Sequence, residues 1–204
     1  TKTGMKKTLF IIIAVIILAG NANAQSARDV LDRTAATIAR ARNGASASFR
    51  ISGQSYGNAS GQIAIKGNRF YATSPGVKVW NDGKTQWTFT SSTNEVTVTK
   101  PNDAQQMSVN PYKFISIYKS GYRLSMRNVA GQYEVHMTAI HPARSLQEVY
   151  VTVTRNYYPT KIRMRRGKGW TTITISNFRI HKIADSTFQF KKSACPGAEI
   201  IDLR

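Results

Sequence analysis

The sequence predicts a mainly β protein with a few helices, built on one large antiparallel sheet that curls or splits to cover a single apolar face. Three observations predict it. From Ser46 onward, apolar residues recur at every second position, the spacing of a strand with one buried side. Turn-forming residues punctuate that alternation at short intervals, as in Gly57-Asn58, Asn81-Asp82-Gly83, Gly131, Tyr158-Pro159 and Gly167-Lys168-Gly169, which suits hairpin connections. Ahead of the strands stands one segment of helical spacing, Ser26 to Arg42.

Taken in order, residues 1–24 read as upstream residues followed by a cleavable signal peptide. Met5 follows the upstream stretch Thr1–Gly4, and Lys6 and Lys7 form a positive start. Thr8 to Gly20 form an apolar core, and Ala22-Asn23-Ala24 is a small-x-small cleavage site. Gln25 is then the expected first mature residue, and export to the periplasm the expected location. No cysteine stands at the cleavage point, so an N-terminal lipid anchor is not expected. Residues 25–204 read as a single domain.

The helix over Ser26 to Arg42 is justified by Val30, Leu31, Thr34, Ile38 and Ala41 on one face, a capping-box-like Ser26/Asp29 start, and the stop at Asn43-Gly44. Strands follow around Phe49/Ile51, Ile63/Ile65, Trp87/Phe89 and Val96/Val98. Others follow around Tyr122/Leu124/Met126, Tyr133/Val135/Met137, Val149/Val151/Val153, Ile162/Met164 and Ile173/Ile175. These nine runs, with the segments between them, suggest about eleven strands in all. Lys100 to Ser120 interrupts the rhythm. Asn110-Pro111 starts and Gly121 ends a short predicted helix there, with Tyr112, Phe114, Ile115, Ile117 and Tyr118 as its apolar surface. Two helices are thus available to cover the open side of a curled sheet.

The full chain carries a net charge of +19, and removing Lys2, Lys6 and Lys7 with the leader takes it down by three to +16. Such a balance points to anionic partners, and export turns it away from nucleic acid. The single cysteine, Cys195, has no partner in the chain, so stability rests on burial. Lys161, Arg163 and Arg165 alternate with Ile162 and Met164. They form either a solvated outer face or a guide toward an acidic partner surface or anionic lipid.

Catalytic patterns lack their context. Gly53-Gln54-Ser55-Tyr56-Gly57 matches a nucleophile elbow, but a hairpin rather than a helix follows Ser55. Gly83-Lys84-Thr85 ends like a phosphate loop, yet Lys78 stands where the first glycine is needed. His136, His141 and His181 have no metal-ligand spacing. The expectation is a non-enzymatic protein without catalytic residues, metal or cofactor, with a lipid hydrolase built on Ser55 as a lesser alternative.

Asp82-Gly83-Lys84-Thr85-Gln86-Trp87, followed by the strand Asn94-Glu95-Val96-Thr97-Val98, resembles the D-G-K-T-x-W segment of periplasmic outer-membrane lipoprotein carriers of the LolA type. The likeness extends to Ala47-Ser48-Phe49, to Gly61 through Phe70, to Trp170 through Phe178, and to the ending Ala198-Glu199-Ile200-Ile201-Asp202-Leu203. It implies an incomplete, unclosed antiparallel β-barrel with a helical lid over an apolar cavity. It also implies a monomeric carrier of acylated lipoproteins. An inner-membrane lipoprotein-releasing transporter would load it, and an outer-membrane receptor or the membrane itself would unload it. Phe70 matches the family's cavity phenylalanine. The family's arginine-proline latch is replaced after Lys66 by Gly67-Asn68, leaving Lys66 or Arg69 to hold the lid. A lipid- or lipoprotein-sensing protein of the same fold is the alternative within this resemblance.

Each buried methylene is worth about 0.8 kcal/mol, so a sixteen-carbon chain costs roughly 12 kcal/mol to leave in water. An enclosed apolar container is therefore required. Phe49, Ile51, Ile63, Ile65, Phe70, Trp87, Phe89, Val96 and Val98 are the expected lining. Phe114, Ile117 and Tyr118 are the expected lid contacts.

Overall fold

The structure is a computed structural model that describes residues 26–53, 57–101 and 116–204. Twelve strands form one sheet: β1 (Ala45–Gly53), β2 (Ala59–Lys66), β3 (Arg69–Ser74), β4 (Val77–Asn81), β5 (Gln86–Thr90), β6 (Glu95–Thr99), β7 (Tyr122–Val129), β8 (Gln132–Ala139), β9 (Glu148–Val153), β10 (Pro159–Arg166), β11 (Gly169–Ile180) and β12 (Glu199–Asp202). Their spatial order is β12-β6-β5-β4-β3-β2-β1-β11-β10-β9-β8-β7. Within β1–β6 and within β7–β11, each strand pairs with the next in sequence, as alternating apolar residues and short turns dictate. Two pairings are long-range: β1 with β11, antiparallel, and β12 with β6, parallel. The outer strands β7 and β12 do not pair with each other, so the sheet is an unclosed barrel. β3, β4 and the four-residue β12 are the strands that the alternating runs do not mark.

The helix α1 spans residues 26–39, shorter than the expected Ser26 to Arg42. Its end tightens into turns, with Ala41 N–H donating to Ile38 O at 3.0 Å and Gly44 N–H to Ala41 O at 2.9 Å. Ala27, Val30, Leu31, Thr34, Ile38 and Ala41 are all buried, an apolar stripe at helical spacing. Thr34 satisfies its hydroxyl by donating to Val30 O at 2.8 Å, so a polar side chain is carried inside without an orphaned group.

α1 lies across one face of the sheet and divides its buried side chains into two clusters. Ala27, Val30 and Leu31 pack with Tyr118, Tyr122, Val135, Met137, Val149, Val151 and Val153 of the β7–β9 half. Ile38 and Ala41 pack with Ala45, Ile65 and Phe70 of β1–β3. A third cluster of Trp80, Val96, Cys195 and Ala198 stands apart. No described helix is long and apolar enough to cross a membrane.

Candidate functional site

Residues directly opposite one another in a ladder project to the same side of a sheet. From Ile65 the partners run Phe70, Asn81, Gln86 and Thr99. In the other direction Ile51 meets Ile173, then Ile162, Val151, Val135 and Met126. This is the face that α1 covers, here called the inner face. Phe49, Ile51, Ile63, Ile65 and Phe70 all stand on it. Ile65 and Phe70 are buried beneath α1, whereas Phe49, Ile51 and Ile63 are half-buried, as are Ile173 and Ile175 beside them. Gly61 stands opposite Phe49, where a Cβ would collide with the Thr73 backbone oxygen and come within 2.9 Å of Phe49 Cζ.

The other four expected lining residues lie on the opposite side. Trp80 pairs with Trp87, Trp87 with Val98, and Phe89 with Val96. The inner face of β5 and β6 is taken instead by Gln86, Thr88, Thr90, Thr97 and Thr99. Trp87, Phe89 and Val96 belong to the third cluster, under Phe190, Cys195 and Ala198. The physical reason is simple. Period-2 alternation says which residues of a strand share a side, but not which side of the sheet that is. In β1–β3 the larger apolar residues face α1; in β5 and β6 they face away.

What covers this outer cluster is a strap over residues 183–198, which sequence reasoning missed. Its root is fixed where Ile183 N–H donates to Asn43 O at 2.8 Å. Gly44, at φ +128°, admits the Ile183 side chain, because a Cβ would sit 2.7 Å from Ile183 Cγ1. Lys66 Nζ then donates to Asp185 Oδ1 at 2.7 Å and to Ile183 O at 3.1 Å, and Arg69 Nη2 to the same carboxylate at 3.0 Å. These bonds, Lys66 foremost, hold the Asp185 carboxyl below its ordinary range. Arg69 also lies 5.3 Å from the centre of the fully buried Phe188 ring. Phe190 packs edge-on to Trp80 at 5.4 Å and stacked with Trp87 at 6.1 Å. Lys66 and Arg69 therefore latch the strap to the outer face.

Of the expected lid residues, Phe114 lies outside the described residues, as does Ser55. Ile117 and Tyr118 form a 3-10 turn, Ile117–Lys119. Tyr118 is buried in the α1 cluster and its hydroxyl donates to Asp32, so it anchors the segment to α1. The Asp82-Gly83-Lys84-Thr85 segment is the β4–β5 turn. Asp82 Oδ1 accepts from Lys84 N–H at 2.8 Å and Thr85 N–H at 2.7 Å. Its conspicuous residues are thus explained by turn closure.

Of the basic run, Arg165 is tied to Glu148, with Nη2 2.6 Å from Oε1. Arg163 lies over Tyr150 and Trp170, 5.5 and 4.9 Å from the ring centres. His136 stacks on Tyr150 at 4.1 Å. The ladder serves the sheet's own outer surface. No group of three or more histidines, cysteines or carboxylates is placed to hold a metal among the described residues.

An unclosed antiparallel barrel, crossed by a helix and carrying half-buried aliphatic side chains on its inner face, defines a binding fold. The profile of the outer membrane lipoprotein carrier protein LolA family matches residues 18–168, and the chain belongs to that family. No curated protein matches it. Among solved structures, a conserved protein of Thermus thermophilus, itself uncharacterized, superposes with a TM-score of 0.59 at 11% identity, covering 87% of this chain and 99% of that one. This likeness shows the fold alone. A LolA superfamily protein of Nitrosomonas europaea gives 0.36 at 11% identity over 76% and 97% of the two chains. The Mycobacterium tuberculosis lipoprotein LppX gives 0.44 at 12% identity over 77% and 98%.

Proposed function

We propose that residues 25–204 form a periplasmic carrier that takes the acyl chains of lipoproteins against its inner face and shuttles them from the inner to the outer membrane. The observation that supports this most is the band of half-buried Phe49, Ile51, Ile63, Ile173 and Ile175 between the two α1 clusters. A folded core of this size ordinarily buries such residues fully, so their partial exposure suits a guest that completes the packing. The guest is an acyl chain, because the band is apolar, four of its five residues are isoleucine, and it carries no charge. In this reading the chain acts as a monomer without cofactor or catalysis. An inner-membrane lipoprotein-releasing transporter supplies the cargo, and an outer-membrane receptor or the bilayer accepts it.

Titration with a fluorescent triacylated lipopeptide tests this. Ile51→Asp is expected to weaken binding about ten- to hundredfold, the loss of one apolar contact of roughly 1.5–3 kcal/mol, while Trp87→Phe on the opposite face leaves it unchanged. Equal binding by wild type and Ile51→Asp, with both folded, sinks the carrier reading.

A further inference from the structure

At the end of the sheet, the corner where β1 begins and β11 ends holds an open groove of about 670 Å³, lined by Ser46, Tyr158, Phe178, Arg179, Ile180 and His181; Phe178 reaches it from the edge of the cluster that Ile38 and Ala41 cover. A bulge builds it: the β1–β11 register shifts between Ser46 and Ser48, and Asn177 takes φ +54°. Bulges re-aim side chains in this way beside functional sites. Here the lining comes from both sides of the sheet's end, because Ile180 pairs with Ala45 of the inner face and Arg179 with Ser46 of the outer one. Tyr158 and Phe178 rings meet at 5.3 Å, and Ile180 beside them is 43% exposed. Against this apolar strip stand Arg179 and the Ser46–His181 pair, whose Oγ and Nε2 are 2.9 Å apart.

The same corner gathers further positive charge. The exit of α1 is stitched to the end of β11, with His181 N–H donating to Gly44 O at 3.1 Å and Ile183 N–H to Asn43 O at 2.8 Å, so the exposed Arg42 and Lys182 each adjoin a residue of this seam. Arg40, Arg42, Arg179 and Lys182 have no carboxylate within salt-bridge distance among the described residues. The nearest acid in sequence, Asp185, is already taken by Lys66 and Arg69. Unpaired cations beside exposed apolar side chains match a surface that is anionic above and oily below.

We propose that this corner is a docking site for the phosphate-bearing headgroups of an anionic phospholipid surface, with Arg179, His181 and Ser46 meeting the phosphate and Ile180 and Tyr158 entering the layer beneath it. An acidic protein would use the cations but leave Ile180 and Tyr158 without an apolar phase.

The test is co-sedimentation of a chain beginning at Gln25, which contains every described element, with vesicles of phosphatidylcholine alone or mixed with phosphatidylglycerol. The expected result is preferential binding to the mixed vesicles, weakened about fivefold or more by Arg179→Glu and also by Ile180→Ser, which leaves the charge intact. Arg50→Glu, an exposed cation in the middle of the outer face, carries the same charge change and is expected to have a smaller effect. Circular dichroism confirms that each variant is folded. Three results overturn the proposal: no preference for phosphatidylglycerol, equal losses in Arg179→Glu and Arg50→Glu, or binding of inorganic phosphate or polyglutamate that depends on Arg179 while vesicle binding does not. Acyl-chain capture is not measured here, so its failure and this one are separable.

Discussion

The two apolar surfaces of this sheet differ in how they are finished. On the inner face, α1 buries Ile65 and Phe70 but leaves Phe49, Ile51 and Ile63 half-buried. On the outer face of β4–β6, the strap brings Phe190 against Trp80 and Trp87 and roots itself with Phe188, which is fully buried. One surface is mostly aliphatic and left partly exposed; the other is aromatic and closed by the chain itself. The difference teaches that apolar content alone does not mark a binding site. What marks it is apolar area that the fold does not finish covering.

The strongest way to break this contrast is at α1, which both shapes the inner face and holds it to the sheet. Leu31→Ala removes a side chain that is 1% exposed and is expected to cost about 2–5 kcal/mol in urea denaturation. A loss below that range would mean that α1 is a mobile cover instead of part of the core. At the strap, Phe190→Ala is expected to cost about 1–2 kcal/mol through lost ring contacts and to redden the tryptophan emission as Trp80 and Trp87 meet water. Lipopeptide affinity is expected to hold; if it falls in step, the two surfaces are coupled and the contrast fails.

The smallest effect concerns the outer ladder. Burial pushes the Glu148 carboxyl up, but the hydrogen bond and charge of Arg165, joined by His136, outweigh it and hold the group below its ordinary range. A lowered carboxylate contributes stability that is fully present above its unfolded pKa and is lost as pH falls through the folded value. Glu148→Gln is therefore expected to be about 1 kcal/mol less stable at neutral pH, with the gap to wild type closing on acidification. A gap that stays constant across an acid series of thermal melts would show that the pair contributes nothing through its charge.

Much of the architecture is legible in the residues. Val30, Leu31, Ile38 and Ala41 announce α1, and the alternation in Tyr133/Val135/Met137 and Val149/Val151/Val153 marks β8 and β9 as strands. The site is legible only in part. Trp87, Phe89, Val96 and Val98 alternate as cleanly as Ile63 and Ile65, yet face the other way, because period-2 spacing carries no information about which sheet face a strand offers. The strap escapes for a different reason. Residues 183–198 have no regular period, and their placement depends on Lys66 and Arg69 meeting Asp185 across the chain. Phe188 and Phe190, apolar residues in a segment without strand rhythm, were the signal that something there had to be covered.

The parallel pairing of Glu95 with Glu199 has a consequence for how the molecule comes into being. β6 leaves the ribosome well before the neighbour that satisfies its outer hydrogen-bonding edge, because β7 to β11 are all made in between. Until β12 arrives the margin of the sheet stands bare, able to recruit a strand from another chain. Nascent or clipped molecules lacking β12 would thus be the aggregation-prone population, and this four-residue strand works as a seal on assembly.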